Sequence, residues 1–247
     1  MWSKIQFSLR FLLAVTTLVI VTGTLAVPII IVSLFTSSGT LTYTMMRWWA
    51  ILVSTPMGLK FSLKGAENVQ SGQSYIITPN HQGNTDILAL LTKLPLRFRW
   101  VIKKELLRIP VFGWALGATG AIALDRSNRE ASIESLKKAR HKLLNGWCML
   151  IYPEGTRTPD GKLLPFKKGP FMVAIQTGLP ILPVTTNGAF RILPKKKLAF
   201  RPGHITVTIA KPIPTEGLTE DDVPMLMEQT RKAIESNLDL DYNPFKD

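Results

Sequence analysis

The chain is poor in cysteine, histidine and acidic residues, and it lacks any charge from Phe11 to Met46. One cysteine, Cys148, excludes an internal disulfide and fits a reducing compartment. It sits in an apolar run, which predicts a buried core residue rather than a nucleophile. The three histidines, His81, His141 and His204, form no ligand cluster of zinc-like spacing with it, so no metal is implied. Acidic residues number 17 against 30 basic ones, for a formal net charge of +13. That imbalance points to an anionic partner: nucleic acid, anionic lipid, a phosphorylated substrate or an acidic carrier protein. No zinc-finger, helix-turn-helix or RNA-recognition signature accompanies the charge, so the nucleic-acid reading rests on charge alone. Internal repeats, long low-complexity stretches and a second globular domain are also missing.

What is present begins with hydrophobicity. Apolar residues make up 46% of the chain and the mean hydropathy is +0.16, high for a soluble enzyme. Much of this lies between Phe11 and Phe35, a longer run than the roughly 20 apolar residues that cross a bilayer as a helix. Lys4 and Arg10 precede it and Arg47 follows it. A secretory signal peptide shares the basic-then-apolar order, but no clear small-x-small cleavage site follows. Pro28 and Gly39 interrupt the stretch. A second segment, Leu41 to Leu59, carries Trp48 and Trp49, residues that favour the headgroup interface. Two readings stand: one crossing, or two helices in a hairpin with both ends on one face. The hairpin keeps the rest of the chain on the basic, cytoplasmic side of the membrane and is the expectation here. Residues 1–59 are therefore expected to attach to the membrane, and residues 60–247 to form the working domain.

That domain reads as α/β. Ser74–Thr78, Phe98–Ile102, Ala121–Leu124, Trp147–Tyr152 and Pro180–Val184 are short apolar runs expected to be buried strands. Ile205–Ala210 alternates and is expected at an edge. Between them lie helical patterns. One opens at Ser127 and Glu130, spaced as a capping box, and carries Ile133, Leu136, Ala139 and Leu143 on one face. The last is expected to start at Thr219, where Glu220, Asp221 and Asp222 suit a helix N-terminus. Strand–helix alternation implies a mostly parallel central sheet flanked by helices.

Chemistry concentrates in four loops at strand ends. The first is Asn80-His81-Gln82-Gly83-Asn84-Thr85-Asp86. If His81 folds back toward Asp86, the carboxylate fixes one ring nitrogen and leaves the other to take a proton from a hydroxyl. By itself the segment also suits a structural histidine. The second places Lys103 and Lys104 beyond a strand, either as solvated lysines or, for Lys103, as a charge for an oxyanion or phosphate. The third ends a buried strand in Asp125-Arg126, either an ion pair or an anion site. The fourth is Glu154-Gly155-Thr156-Arg157 followed by Phe166-Lys167-Lys168-Gly169. Its arginine fork matches phosphate oxygens and its glycine permits close backbone approach. The alternative is a surface turn with an ion pair.

In this order and spacing the four segments resemble the glycerolipid acyltransferase family, in its 1-acylglycerol-3-phosphate acyltransferase branch. Asn80-His81 with Asp86 matches the NHxxxxD motif, Gly120 to Arg126 the second motif, and Glu154 to Arg157 the EGTR motif. Leu179-Pro180-Ile181-Leu182-Pro183-Val184 matches the fourth. Phe166 to Gly169 resembles the basic segment after EGTR. The resemblance spans residues 60 to 240 or so. It implies the family's fold and direct acyl transfer, without an acyl-enzyme. His81, oriented by Asp86, would deprotonate the sn-2 hydroxyl of lysophosphatidic acid. The donor would be an acyl thioester of acyl carrier protein or coenzyme A, a co-substrate rather than a cofactor. Lys103, with backbone amides near His81, would stabilise the oxyanion. Glu154, Gly155, Thr156 and Arg157 would hold the glycerol phosphate, with Arg126 and Lys168 as further phosphate candidates. An apolar tunnel floored near Leu116 to Ala121 would take the acyl chain, with Gly117 and Gly120 controlling its length. Anionic membrane lipid would meet basic surface such as Arg191, Lys195, Lys196, Lys197 and Arg201, and no nucleic acid is expected.

Overall fold

The structure is a computed structural model that describes residues 4–36, 38–124, 143, 146–194 and 200–246. Asp125, Arg126, the helix expected from Ser127, His141, and Lys195, Lys196 and Lys197 lie outside the described residues.

Two N-terminal helices come first, α1 (Lys4–Phe35) and α2 (Thr40–Met57). They fold back on one another. Arg10, near the start of α1, reaches Gly58 at the end of α2, and Trp49 Nε1 donates to Thr22 Oγ1 at 3.0 Å. Both ends of α1 are docked on the domain. The ring of Phe11 stacks on Phe200 at 6.0 Å, and Ala26 and Ile29 cluster with Ala115. Among the described residues, one helix is long and apolar enough to cross a membrane, over Ser8–Phe35. Its opposite side leaves Leu9, Leu13, Val19, Ile20, Val27, Ile31 and Leu34 exposed.

Seven strands form one sheet in the order β1-β7-β6-β2-β5-β3-β4. They are β1 (Leu59–Lys64), β2 (Ile76–Pro79), β3 (Arg97–Lys103), β4 (Ile122–Leu124), β5 (Trp147–Leu150), β6 (Ile181–Asn187) and β7 (Gly203–Ile209). All neighbouring pairs are parallel except β6 with β7. The mostly parallel sheet flanked by helices is as expected. Two details differ. β1 was not singled out, and only its first residue, Leu59, fell in the second apolar segment, although Leu59, Phe61 and Leu63 alternate with polar residues in the strand period. β7 was expected at an edge, yet it pairs on both sides, with β1 and β6. Its alternation arises because Ile205, Val207 and Ile209 face the core while Thr206 and Thr208 face away.

Helices cover both faces. On one lie α1, α2 and α3 (Thr85–Lys93), whose Leu88, Ala89, Leu90 and Leu91 pack on Ile77, Leu150 and Leu182. On the other lie α5 (Gly169–Thr177) and α7 (Val223–Glu235), whose Phe171, Ala174 and Leu226 pack on Ile76, Met149 and Ile181. The adjacent residues Ile76 and Ile77 thus serve opposite cores, the period of two that a strand imposes. α4 (Phe112–Ala118) and a short α6 (Ala189–Ile192) complete the described helices. Thr219 caps a 3-10 turn, Glu220–Asp222, that leads into α7; its N–H donates to Asp222 Oδ2 at 2.8 Å.

Candidate active site

β2, β5 and β3 are adjacent and parallel, so the loops that leave them emerge at one edge of the sheet. This brings together the His81 loop, Tyr152 to Arg157, and Lys103, three segments that are far apart in sequence. Ligands in open α/β sheets bind at this carboxyl edge.

The His81 loop is held by hydrogen bonds within itself and to its neighbours. His81 Nδ1 lies 3.0 Å from Asp86 Oδ2. The same oxygen accepts the Gln82 N–H at 2.7 Å and the Gly83 N–H at 2.9 Å. Asp86 is fully buried, so its position is set before any substrate arrives. Asp86 sits in the first turn of α3, where the helix dipole favours a carboxylate. Asn80 secures the loop from behind. Its Oδ1 accepts the Thr186 N–H at 2.7 Å and its Nδ2 donates to the Thr186 carbonyl at 3.0 Å, tying β2 to β6. The imidazole stacks on the Tyr152 ring with centroids 3.7 Å apart and planes 15° from parallel. Nδ1 is thus engaged, and Nε2 is the ring nitrogen left for chemistry.

Glu154 does something other than hold phosphate. It is buried, with 3% exposure, and does not line the cavity. Its Oε1 accepts the His81 N–H at 2.7 Å and its Oε2 accepts the Leu164 N–H at 2.8 Å. It is a buckle between the His81 loop and the loop that returns from EGTR. Burial pushes its carboxyl up from 4.5 to about 7, offset in part by the Leu164 and His81 N–H groups, with the nearby Asp86 charge adding to the rise. Arg231 on α7, which sequence reading did not single out, completes the clamp by donating to the Leu164 carbonyl at 3.1 Å.

The expectation that backbone amides beside His81 would serve an oxyanion is corrected. The N–H groups of Asn80, His81, Gln82 and Gly83 go to Val184, Glu154 and Asp86. Lys103 remains: it is exposed and lines the cavity with His81. Gly155, Thr156 and Arg157 also line it, and Arg157 donates to Asn84 Oδ1 at 2.9 Å. Gly155 adopts φ 71°, and a side chain there would press on the Lys167 stem at 3.0 Å. Lys168 is exposed and does not line the cavity, and the lysine whose stem lies against Gly155 is Lys167.

The cavity has a volume of about 550 Å³ and its lining is chiefly apolar. From His81 it extends between α3, β3, α4 and the N-terminal helices, with Leu25, Ile29, Trp49, Leu91 and Leu116 in its walls. Residues 115, 116 and 119 line it, but Gly117 faces Leu107 and Gly120 faces the Arg99 guanidinium, so neither is the expected length control. The Tyr152 ring also lines it, while its buried hydroxyl has no hydrogen-bond partner among the described residues. Burial holds that phenol well above its ordinary range. Cys148 is fully buried in β5, its thiol pushed up to about 12 by desolvation, as expected of a core residue.

An imidazole held by a buried carboxylate and opening onto an apolar cavity is an arrangement that can take a proton from a hydroxyl beside an apolar chain. The chain belongs to the Acyltransferase family: the family model of that description matches residues 60–187. The chain is 34% identical over 178 residues to human 1-acyl-sn-glycerol-3-phosphate acyltransferase alpha, covering 72% of this chain and 63% of that one. It is 35% identical to the 1-acyl-sn-glycerol-3-phosphate acyltransferase of Saccharomyces cerevisiae, over 76% of this chain and 63% of the relative. The chain thus matches somewhat less than two thirds of these relatives' lengths. The fold is shared with the crystal structure of the 1-acyl-sn-glycerophosphate (LPA) acyltransferase PlsC from Thermotoga maritima. The TM-score is 0.79 at 24% identity, covering 95% of this chain and 97% of that one.

Proposed function

We propose that this chain transfers a fatty acyl group from acyl carrier protein or coenzyme A to the sn-2 hydroxyl of 1-acylglycerol 3-phosphate, making phosphatidic acid. The observation that carries this reading is the His81–Asp86 pair, 3.0 Å apart, opening onto the apolar cavity between cationic side chains. His81 Nε2 takes the hydroxyl proton as the oxygen attacks the thioester carbonyl. Asp86 stabilises the imidazolium that forms. Lys103 meets the developing oxyanion, and Arg157, with Gly155 and Thr156, receives the acceptor's phosphate. When the tetrahedral intermediate collapses, the C–S bond breaks, the ester C–O bond remains, and the imidazolium returns its proton to the departing thiolate.

Residues 1–59 serve as the membrane attachment. α1 is docked at both ends, which supports a hairpin lying in one leaflet rather than a free-standing crossing. The domain then works on the cytoplasmic face, where anionic lipid and carrier proteins meet its positive charge.

The test is thioester release by purified protein with lysophosphatidic acid, glycerol 3-phosphate and lysophosphatidylcholine as acceptors. Lysophosphatidic acid should give the highest kcat/KM. His81→Ala should lower it roughly 10³-fold or more while the fold is retained. Substantial release by that variant would remove His81 as the base. Preference for another acceptor would reassign the substrate.

A further inference from the structure

Beyond Lys103 the chain runs Lys104-Glu105-Leu106-Leu107-Arg108 as a 3-10 turn and then Ile109-Pro110-Val111-Phe112-Gly113-Trp114. Four side chains of this segment are exposed although they are large and apolar: Ile109 at 44%, Val111 at 38%, Phe112 at 36% and Trp114 at 60%. A soluble surface rarely groups such residues without a partner.

The backbone is built to present them. Val111 has φ 63°, the single non-glycine residue with positive φ among the described residues, and a β-branched side chain is strained there. Strain of this kind persists where surrounding structure over-determines it. Here Gly113 fits with no room for a side chain, since a Cβ would lie 2.4 Å from the Leu106 carbonyl oxygen and 2.6 Å from that of Leu107. The Gly113 N–H donates to the Ile109 carbonyl at 2.7 Å, and the Ala115 N–H to Val111 at 2.9 Å. The turn is closed on itself, and its apolar side chains point away from it.

Three observations indicate what covers them. Ala115 packs with Ala26 and Ile29, so the segment stands beside the apolar length of α1. Lys103, Lys104 and Arg108 are exposed immediately before it, in the order expected where headgroups give way to acyl chains. Finally, Phe112 is both exposed and part of the cavity wall, together with Leu106 and Leu116 of the same region.

We propose that residues 109–114 form a rigid wedge inserted into the acyl region of an anionic bilayer, with Phe112 bordering a lateral entrance through which acyl chains pass between membrane and cavity. The entrance rests on the acyl-transfer reading above; the insertion does not. α1 and the wedge would enter the same leaflet, and the cations before the wedge would sit among lipid phosphates. An acyl chain would then reach His81 without crossing water.

Insertion is tested on the full-length protein bound to phosphatidylglycerol vesicles whose acyl chains are brominated. The Trp114 emission, taken as wild type minus Trp114→Phe, should lose about half its intensity or more relative to unbrominated vesicles, as for an indole at the acyl boundary. Unquenched Trp114 emission would overturn the wedge. The measurement needs no turnover, so it stands even if the wild type transfers no acyl group. The entrance is tested with Ile109→Ser/Trp114→Ser, two positions outside the cavity wall. Its apparent KM for a long-chain lysolipid presented in vesicles should rise about tenfold. Its turnover of a monomeric short-chain acceptor should stay within about twofold of wild type, with an unchanged circular dichroism spectrum. An equal loss on both acceptors, or on neither, would overturn the entrance.

Discussion

The two faces of the sheet are covered in different ways. Behind it, α5 and α7 close directly on the strands, and Phe171, Ala174, Ile181 and Leu226 are fully buried. In front, α3 and the Tyr43–Ala50 side of α2 pack in the same manner, but α1, α4 and Trp49 of α2 enclose the cavity of about 550 Å³. Side chains such as Leu25 and Leu116 there line space instead of filling it. Both faces are close-packed on the strands, but only the front one also holds room for an apolar chain. The His81–Asp86 pair lies at the sheet edge and opens onto that room.

The largest expected effect breaks that pair. Asp86→Asn keeps the shape but loses the charge, and it replaces an acceptor oxygen that now serves His81, Gln82 and Gly83. Acyl transfer should fall on the order of 10³-fold or more, measured as thioester release under saturating donor. A loss below tenfold would mean that His81 needs no carboxylate.

A paired truncation separates the faces. Phe171→Ala should cost about 3–5 kcal/mol of unfolding free energy, because it opens a void in a close-packed core. Leu116→Ala should cost about 1 kcal/mol or less, because that side chain already faces open space, and it should shift products toward longer acyl chains. Equal costs in denaturant titrations would contradict the contrast.

Glu154 gives a smaller, pH-dependent effect. Its carboxyl is raised from 4.5 to about 7 in the folded state. Between those values the folded protein holds a proton that the unfolded chain has lost. Its contribution to stability is therefore complete below pH 4.5 and declines as pH rises through about 7. Glu154→Gln should remove that decline, so the two stability-against-pH curves should converge or cross over this interval. Parallel curves would count against the shift. The smallest effect is expected from Lys168→Ala. The side chain is exposed and outside the cavity lining, so kcat/KM should change less than about threefold.

Much of this was legible before any coordinates. The apolar runs marked five strands because buried parallel strands are short and nearly continuous in hydrophobicity. The His81–Asp86 pairing was legible only in company with the other motifs, although a tight loop entering a helix does return the carboxylate to the imidazole. β1 was missed because an alternating six-residue strand directly follows a helix, with only Gly58 between them. Glu154 was misassigned because its two partners, His81 and Leu164, are backbone N–H groups that leave no trace in residue type. Arg231 was missed for the same reason, since it binds carbonyl oxygens on a loop more than sixty residues away.

The sequence by itself determined the chemistry available: one histidine followed by a carboxylate at the right interval, cations after strand ends, and an apolar N-terminus too long for an ordinary core helix. Those properties are local, and local spacing carries them. Only the tertiary structure decided which cations share a cavity with His81 and that the second carboxylate, Glu154, buckles its loop. It also decided that α1 forms a wall of the apolar cavity. These depend on strand order and on backbone groups, and neither is written in the pattern of side chains along the chain.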